Sequence, residues 1–187
     1  MRIKAKSRVS LIIWIIILLF LAFVFIFPRW ISFFYPLPHQ ELVFTTASEE
    51  DVDPYLVFAI IRVESKYQTG AESPKGAKGL MQIMPETAEW IAEQKGIDDF
   101  QAQNLHDPEV NIQFGCWYLR SLQEEFGGNE TTMIAAYNAG RGRVKEWIRS
   151  GLWDGREETI ENIPYNETEE YVRNVLKTYH AYRAIYD

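Results

Sequence analysis

The sequence predicts an all-α domain, with at most a minor β-hairpin, preceded by one transmembrane helix. Three observations predict it. No charged residue lies between Arg8 and Arg29, and Val9 to Phe27 reads VSLIIWIIILLFLAFVFIF. From about His39 onward, apolar residues recur at helical spacing between Asp-Pro starts and glycine stops. Runs of strict alternation, the mark of half-buried strands, are missing. A chain of 187 residues holds one domain with a real core and not two large ones.

The apolar run comes first. At ~1.5 Å per residue it spans the ~30 Å hydrocarbon core of a bilayer. A cleaved signal peptide would want a shorter apolar stretch and then small residues. Here Phe25, Ile26, Phe27, Pro28 and Arg29 stand in their place. A core helix is seldom apolar all round, and uncharged, over such a length. Residues 9–27 therefore read as an uncleaved anchor. Arg2, Lys4, Lys6 and Arg8 precede the run and only Arg29 follows closely. The positive-inside rule then puts residues 1–8 in the cytoplasm and everything after Phe27 outside. Trp30, Phe33, Phe34 and Tyr35 fit an interfacial aromatic belt, with the soluble core as their other claimant. Pro28, Pro36 and Pro38 stiffen a neck over residues 28–40, and the outer domain occupies 41–187.

Within that domain, Asp53-Pro54 reads as a helix cap and first helical residue, and Val57, Ile60 and Ile61 line one face. Pro85 starts a second helix, which Gly96 ends. Asp107-Pro108 repeats the cap-and-proline start. Val110, Phe114, Tyr118, Leu122 and Phe126 follow at steps of four, and Gly127-Gly128 stops the run. Thr131 to Tyr137 is short and apolar, and Arg143 to Arg149 is another short helix. Asn166 with Glu169 resembles a capping box, opening a last helix striped with Tyr171, Val175, Tyr179 and Tyr182. The one place for a hairpin is Lys75 to Ile83.

Charge excludes some functions. The whole chain carries −7. Five of its 19 basic residues lie in the tail and neck; the 14 that remain face 26 Asp and Glu, a balance of −12 in the outer domain. That argues against nucleic acid and against adhesion to anionic lipid. Cys116 is the only cysteine, so no intrachain disulfide forms, and it reads as a small buried hydrophobe. His39, His106 and His180 are scattered and make no metal-ligand pair, so neither a metal nor another cofactor is expected.

Three places could carry chemistry. Glu64 lies four residues after Ile60 and seven after Val57, at the end of an apolar stripe. A carboxyl there is desolvated, its pKa rises, and it becomes a usable general acid near neutral pH. An exposed helix-end Glu paired with Arg62 or Lys66 is the plainer alternative. Next comes SPKGAKGLMQIMP, residues 73–85. Gly76 and Gly79 permit tight turns or close approach of a ligand, Ser73 and Gln82 offer polar groups, and Met81 and Met84 offer adaptable apolar surface. A groove wall for a polar polymer needs that mixture, and a bland loop would also contain it. Third, Tyr137 and Asn138 set an aromatic face and hydroxyl beside an amide, a pair suited to sugars; a helix ending at Gly140 with Tyr137 in the core explains them equally.

Taken in order, Arg62-Val63-Glu64-Ser65, SPKGAKGLMQIMP, AAYNAGRGRV, and Ile163 to Thr168 followed by Tyr171-Val172 resemble the soluble lytic transglycosylase family. These are lysozyme-like enzymes that cleave bacterial peptidoglycan. The resemblance covers roughly Asp51 to Tyr186. It implies an α-helical, lysozyme-like fold with a long cleft, and Glu64 as catalytic acid and then base. It implies that Ser73, Gln82, Met84, Tyr137 and Asn138 line the cleft and contact sugars, with Glu167 at a further cleft position. A carboxylate in a first helical turn is Glu167's plainer reading. The implied partner is the peptidoglycan glycan strand, with the cytoplasmic membrane reached through the N-terminal helix. The anchor stands where the family's best-known large member carries a long helical ring. Two other functions stay open: a water-using muramidase in which Glu167 assists Glu64, and a lysozyme-like scaffold without turnover.

Overall fold

The computed structural model describes residues 11–24 and 33–187. It divides into two units, Leu37–Ala184 and the segment up to Pro36 together with Ile185–Asp187. In the smaller unit residues 11–24 are helical, and their large apolar side chains are exposed. Among the described residues no helix is long and apolar enough to cross a membrane. Both ends of the expected 9–27 span, the cytoplasmic tail and Trp30 of the aromatic belt lie outside the described residues; the belt's Phe33 and Phe34 are exposed.

The larger unit is all-helical. Its helices are α1 (Gln40–Glu49), α2 (Pro54–Glu64), α3 (Pro85–Lys95), α4 (Pro108–Glu125), α5 (Glu130–Ala139), α6 (Arg141–Arg149) and α7 (Asn166–Tyr186). Two 3₁₀ segments, Ala102–His106 and Glu157–Asn162, connect them. Helix α1 packs on α2 and α4, and α4 packs on α3 and α5. The expected starts are present. Asp53 and Asp107 each accept a backbone N–H two residues on, at 2.8 Å, and a proline follows each. Gly96 closes α3 at φ 66, a left-handed conformation that glycine adopts at no steric cost.

Three details differ from the sequence expectation, each for a physical reason. Helix α2 is buried on all sides: Leu56 through Ile61 are at most 2% exposed, so it is the central helix and has no solvent face. In α4 only Phe114 and Leu122 of the expected stripe are buried. The true buried face runs through Asn111, Ile112, Gly115, Cys116, Leu119 and Leu122. Steps of four overshoot a turn by about 40° each, so that stripe winds out of the core. The hairpin at Lys75 to Ile83 is reduced to two isolated bridges, Glu72 with Lys78 and Lys78 with Ile83. At the start of α7, Glu169 donates its N–H to the Tyr165 carbonyl at 2.9 Å, and its side chain pairs with Arg173.

Candidate active site

Glu64 is the last residue of the buried helix α2, and that position sets its chemistry. Burial pushes its carboxyl up to about 7, and the Tyr171 hydroxyl, which donates to Oε1 at 2.7 Å, pulls the other way. The C-terminal end of a helix carries partial negative charge, which also disfavours an anion there. Tyr171 comes from α7, on the stripe expected to be core. It is buried, and burial together with the neighbouring Glu64 raises its own pKa well above the usual tyrosine range.

An open cleft of about 330 Å³ surrounds this carboxyl. Glu64, Ser73, Gln82, Met84, Tyr137, Asn138 and Glu167 all line it, together with Lys75. The structure thus brings all seven sequence candidates onto one surface. Several of them also hold the walls. Tyr137 donates its hydroxyl to the Met81 carbonyl at 2.8 Å. The Gln82 amide donates to the carbonyls of Ala71 at 3.1 Å and Gly79 at 2.9 Å, fixing a residue whose φ of 48 is rare outside glycine. Ser73 accepts the Ala77 N–H at 3.0 Å, and Asn138 accepts the Thr168 hydroxyl at 2.8 Å. That use leaves the Ser73 hydroxyl proton and the Asn138 amide N–H groups as donors toward the cleft.

Glu167 differs from Glu64. It stands at the mouth, 78% exposed, with Lys75 Nζ 3.7 Å away and equally exposed. Such a pair is weak and salt-screened. Met81, expected on the groove wall, is fully buried instead. Its side chain lies where a Cβ on Gly115 would come within 2.1 Å of the sulfur.

One residue that sequence reasoning missed builds the loop wall. Asn111, fully buried on α4, accepts the Met81 N–H at 2.7 Å and donates to the carbonyls of Lys78 at 2.9 Å and Leu105 at 2.8 Å. Gly79 passes so close that a Cβ there would sit 2.1 Å from the Leu105 oxygen. A polar residue inside the buried stripe of a helix was the available signal. Among the described residues no group of three or more His, Cys, Asp and Glu could hold a metal ion.

The Transglycosylase SLT domain family matches residues 41–160. The chain is 40% identical over 152 residues to a soluble lytic murein transglycosylase of Salmonella typhimurium, covering 79% of this chain and 23% of that protein. It is 32% identical over 148 residues to a membrane-bound lytic murein transglycosylase C of Actinobacillus pleuropneumoniae, covering 74% of this chain and 39% of that one. The crystal structure of the 70 kDa soluble lytic transglycosylase of Escherichia coli superposes with a TM-score of 0.77 at 36% identity, over 82% of this chain and 25% of that chain. The chain spans about a quarter of the length of these soluble relatives.

Proposed function

The chain belongs to the Transglycosylase SLT domain family, and from that premise we propose that it is a peptidoglycan lytic transglycosylase in which Glu64 alone serves as acid and base. The observation that carries this reading is one half-buried carboxyl, poised near neutral pH, in a cleft whose other carboxylate is exposed and ion-paired.

Tyr171 engages Oε1, which leaves Oε2 to carry the proton. Protonated Glu64 gives that proton to the oxygen bridging N-acetylmuramic acid and N-acetylglucosamine, and the C1–O bond breaks as the muramic acetamido group steadies C1. Glu64, now ionised, takes the proton of the 6-hydroxyl as that oxygen attacks C1. A 1,6-anhydro ring forms, the carboxyl is again protonated, and no water is consumed. One carboxyl with substrate assistance is a known exception to the two-carboxylate rule. Ser73, Gln82, Met84, Tyr137, Asn138 and Glu167 are the proposed sugar contacts, and a metal or other cofactor has no part in these steps. A muramidase would need a second carboxylate to hold water, and Glu167, solvated beside Lys75, is poorly placed for that task.

Residues 9–27 are the proposed anchor, with 1–8 cytoplasmic, 28–40 a neck and 41–187 facing the wall. The uncharged run and the basic residues before it support this topology.

Mass spectrometry of sugars released from purified peptidoglycan by the full, detergent-solubilised chain tests the reaction. Ends in 1,6-anhydromuramic acid are expected. Reducing ends, one water heavier, would make it a hydrolase, and binding without release a scaffold. The pH dependence tests the acid. The first step needs protonated Glu64, so kcat/KM is expected to fall as pH rises through about 7. The Tyr171 hydroxyl favours the ionised carboxyl, so Tyr171→Phe is expected to move that falling limb to higher pH. A limb that stays in place, or moves to lower pH, counts against Tyr171 acting on the carboxyl.

A further inference from the structure

Glu64 is the last residue of α2. Helix ends fray, so a general acid placed there needs a tie from outside the helix. The chain beyond it turns at once. Ser65, buried, bonds back to the Ile61 carbonyl through its N–H at 3.0 Å and its hydroxyl at 3.1 Å. Lys66 and Tyr67 then both take left-handed backbone, at φ 51 and φ 67. That conformation is uncommon for any residue with a side chain, and two in succession persist only where the surroundings hold them. The Tyr67 hydroxyl shares a hydrogen bond with that of Tyr182, which is fully buried on α7. The Tyr182 ring packs on Phe58 of α2, with centroids 5.8 Å apart. The Arg62 guanidinium stands beside the same Tyr67 hydroxyl. Helix α7 therefore reaches the end of α2 at two points, Tyr171 on the carboxyl itself and Tyr182 on the turn that follows it. The cleft lining at Glu64 includes neither Tyr67 nor Tyr182.

We propose that Tyr67 and Tyr182 are positioning residues for Glu64: their hydroxyl pair holds the left-handed turn at Lys66 and Tyr67, and the turn holds the carboxyl at its depth in the cleft. The proposal rests on the acid–base reading of Glu64 and deepens it. In that reading one carboxyl gives a proton to one substrate oxygen and takes a proton from another, so it must stay within reach of both. A displacement of about 1 Å can cost a factor of about 10². Without the hydroxyl pair, the strained turn relaxes toward right-handed or extended backbone. The last turn of α2 then loosens, and water reaches the carboxyl. Loss of burial moves a carboxyl back down toward its ordinary value. The other titratable groups around Glu64 are Tyr171 of α7 and Tyr137 of α5, with Lys75 and Glu167 on the same cleft. All of them remain when the Tyr67 hydroxyl is removed.

Tyr67→Phe removes the hydroxyl and keeps the ring. In the full chain, kcat is expected to fall about tenfold with KM within about twofold, since the cleft lining is untouched. The falling limb of kcat/KM is expected to move about half a pH unit lower or more, opposite in sign to the shift expected of Tyr171→Phe. A residue that only stabilised the fold would lower Tm and leave the limb in place. A limb that stays, or that moves to higher pH, overturns the proposal. Tyr182→Phe removes the same hydrogen bond from the other side and is expected to give a similar shift. The double variant is expected to shift no further than the larger single, and additive shifts overturn the pair. Adding Lys66→Asn to Tyr67→Phe favours left-handed backbone without the hydroxyl. It is expected to return the limb most of the way to the parent, and no return overturns the turn as the link. An NMR titration of labelled glutamate carboxyls, with Glu64 assigned from the Glu64→Gln spectrum, reads the same shift in substrate-free protein. A downward shift there supports the positioning pair even where the released sugars are not anhydro ends, and an unmoved Glu64 overturns it.

Discussion

Glu64→Gln is expected to remove cleavage, by a factor of at least ~10²–10⁴, while making the folded domain more stable above neutral pH. Both effects come from one fact, the burial of a single carboxyl. In the unfolded chain Glu64 titrates near 4.5, and in the folded chain near about 7. Below the lower value both states hold the proton and the residue costs nothing. Between the two values the unfolded state ionises first, so stability falls as pH rises, and above about 7 the loss is complete. The loss amounts to about 2–3 kcal/mol, allowing for water that reaches the half-buried site. Glutamine keeps the shape, still accepts the Tyr171 hydroxyl and carries no charge. Thermal melts are therefore expected to coincide at pH 4 and to separate at pH 8, the variant melting higher by about 4–10 °C. Product analysis supplies the other half. A variant that still releases anhydromuropeptides at the parent rate, or that melts lower at both pH values, would end the assignment of Glu64.

Much of this candidate site is legible in the sequence, because the residues sit beside strong local signals. Glu64 ends an apolar run, and Ser73, Gln82 and Met84 fall in a glycine-punctuated loop. Tyr137 and Asn138 precede the glycine that breaks α5. The helix starts were legible for the same reason, since Asp-Pro caps act within two residues. What stayed hidden depends on partners far along the chain. Tyr171 sits on the buried stripe of α7, and nothing local distinguishes it from Tyr179 on that stripe, although its hydroxyl reaches a residue 107 positions earlier. Tyr179 instead donates to Asp53 at 2.7 Å. The all-round burial of α2 escaped because periodicity reports a difference between faces, and a central helix has none. The contacts that join Trp90, Tyr118 and Tyr137 are made between α3, α4 and α5, so no single window of sequence contains them.

Asn111→Ala is the other substitution expected to have a large effect, although its side chain is absent from the cleft lining. Asn111 satisfies three backbone groups of buried or half-buried segments: the Met81 N–H and the carbonyls of Lys78 and Leu105. Alanine leaves all three without that partner. A buried group that loses its hydrogen bond costs about 1–3 kcal/mol; the Lys78 carbonyl keeps the Ile83 N–H at 3.1 Å, and water relieves part of the loss at the Leu105 carbonyl. The sum expected is about 2–4 kcal/mol, a large share of a typical domain's 5–15 kcal/mol. The damage is directional as well as large. Met81 is the peg of the loop: its N–H is held by α4, its carbonyl by Tyr137 and its side chain lies against Gly115. Releasing the N–H loosens residues 73–84, which carry Ser73, Gln82 and Met84 into the cleft. Hydrogen exchange should therefore speed up at Met81 and its loop neighbours more than in α7, and denaturant unfolding should show the full loss. Asn111→Asp separates the roles. It can still accept the Met81 N–H, yet it sets a carboxylate against two carbonyl oxygens, so its destabilisation should grow as pH rises and the carboxyl ionises. An Asn111→Ala protein within about 1 kcal/mol of the parent, with the loop amides still protected, would show that the clamp is not what holds the cleft wall.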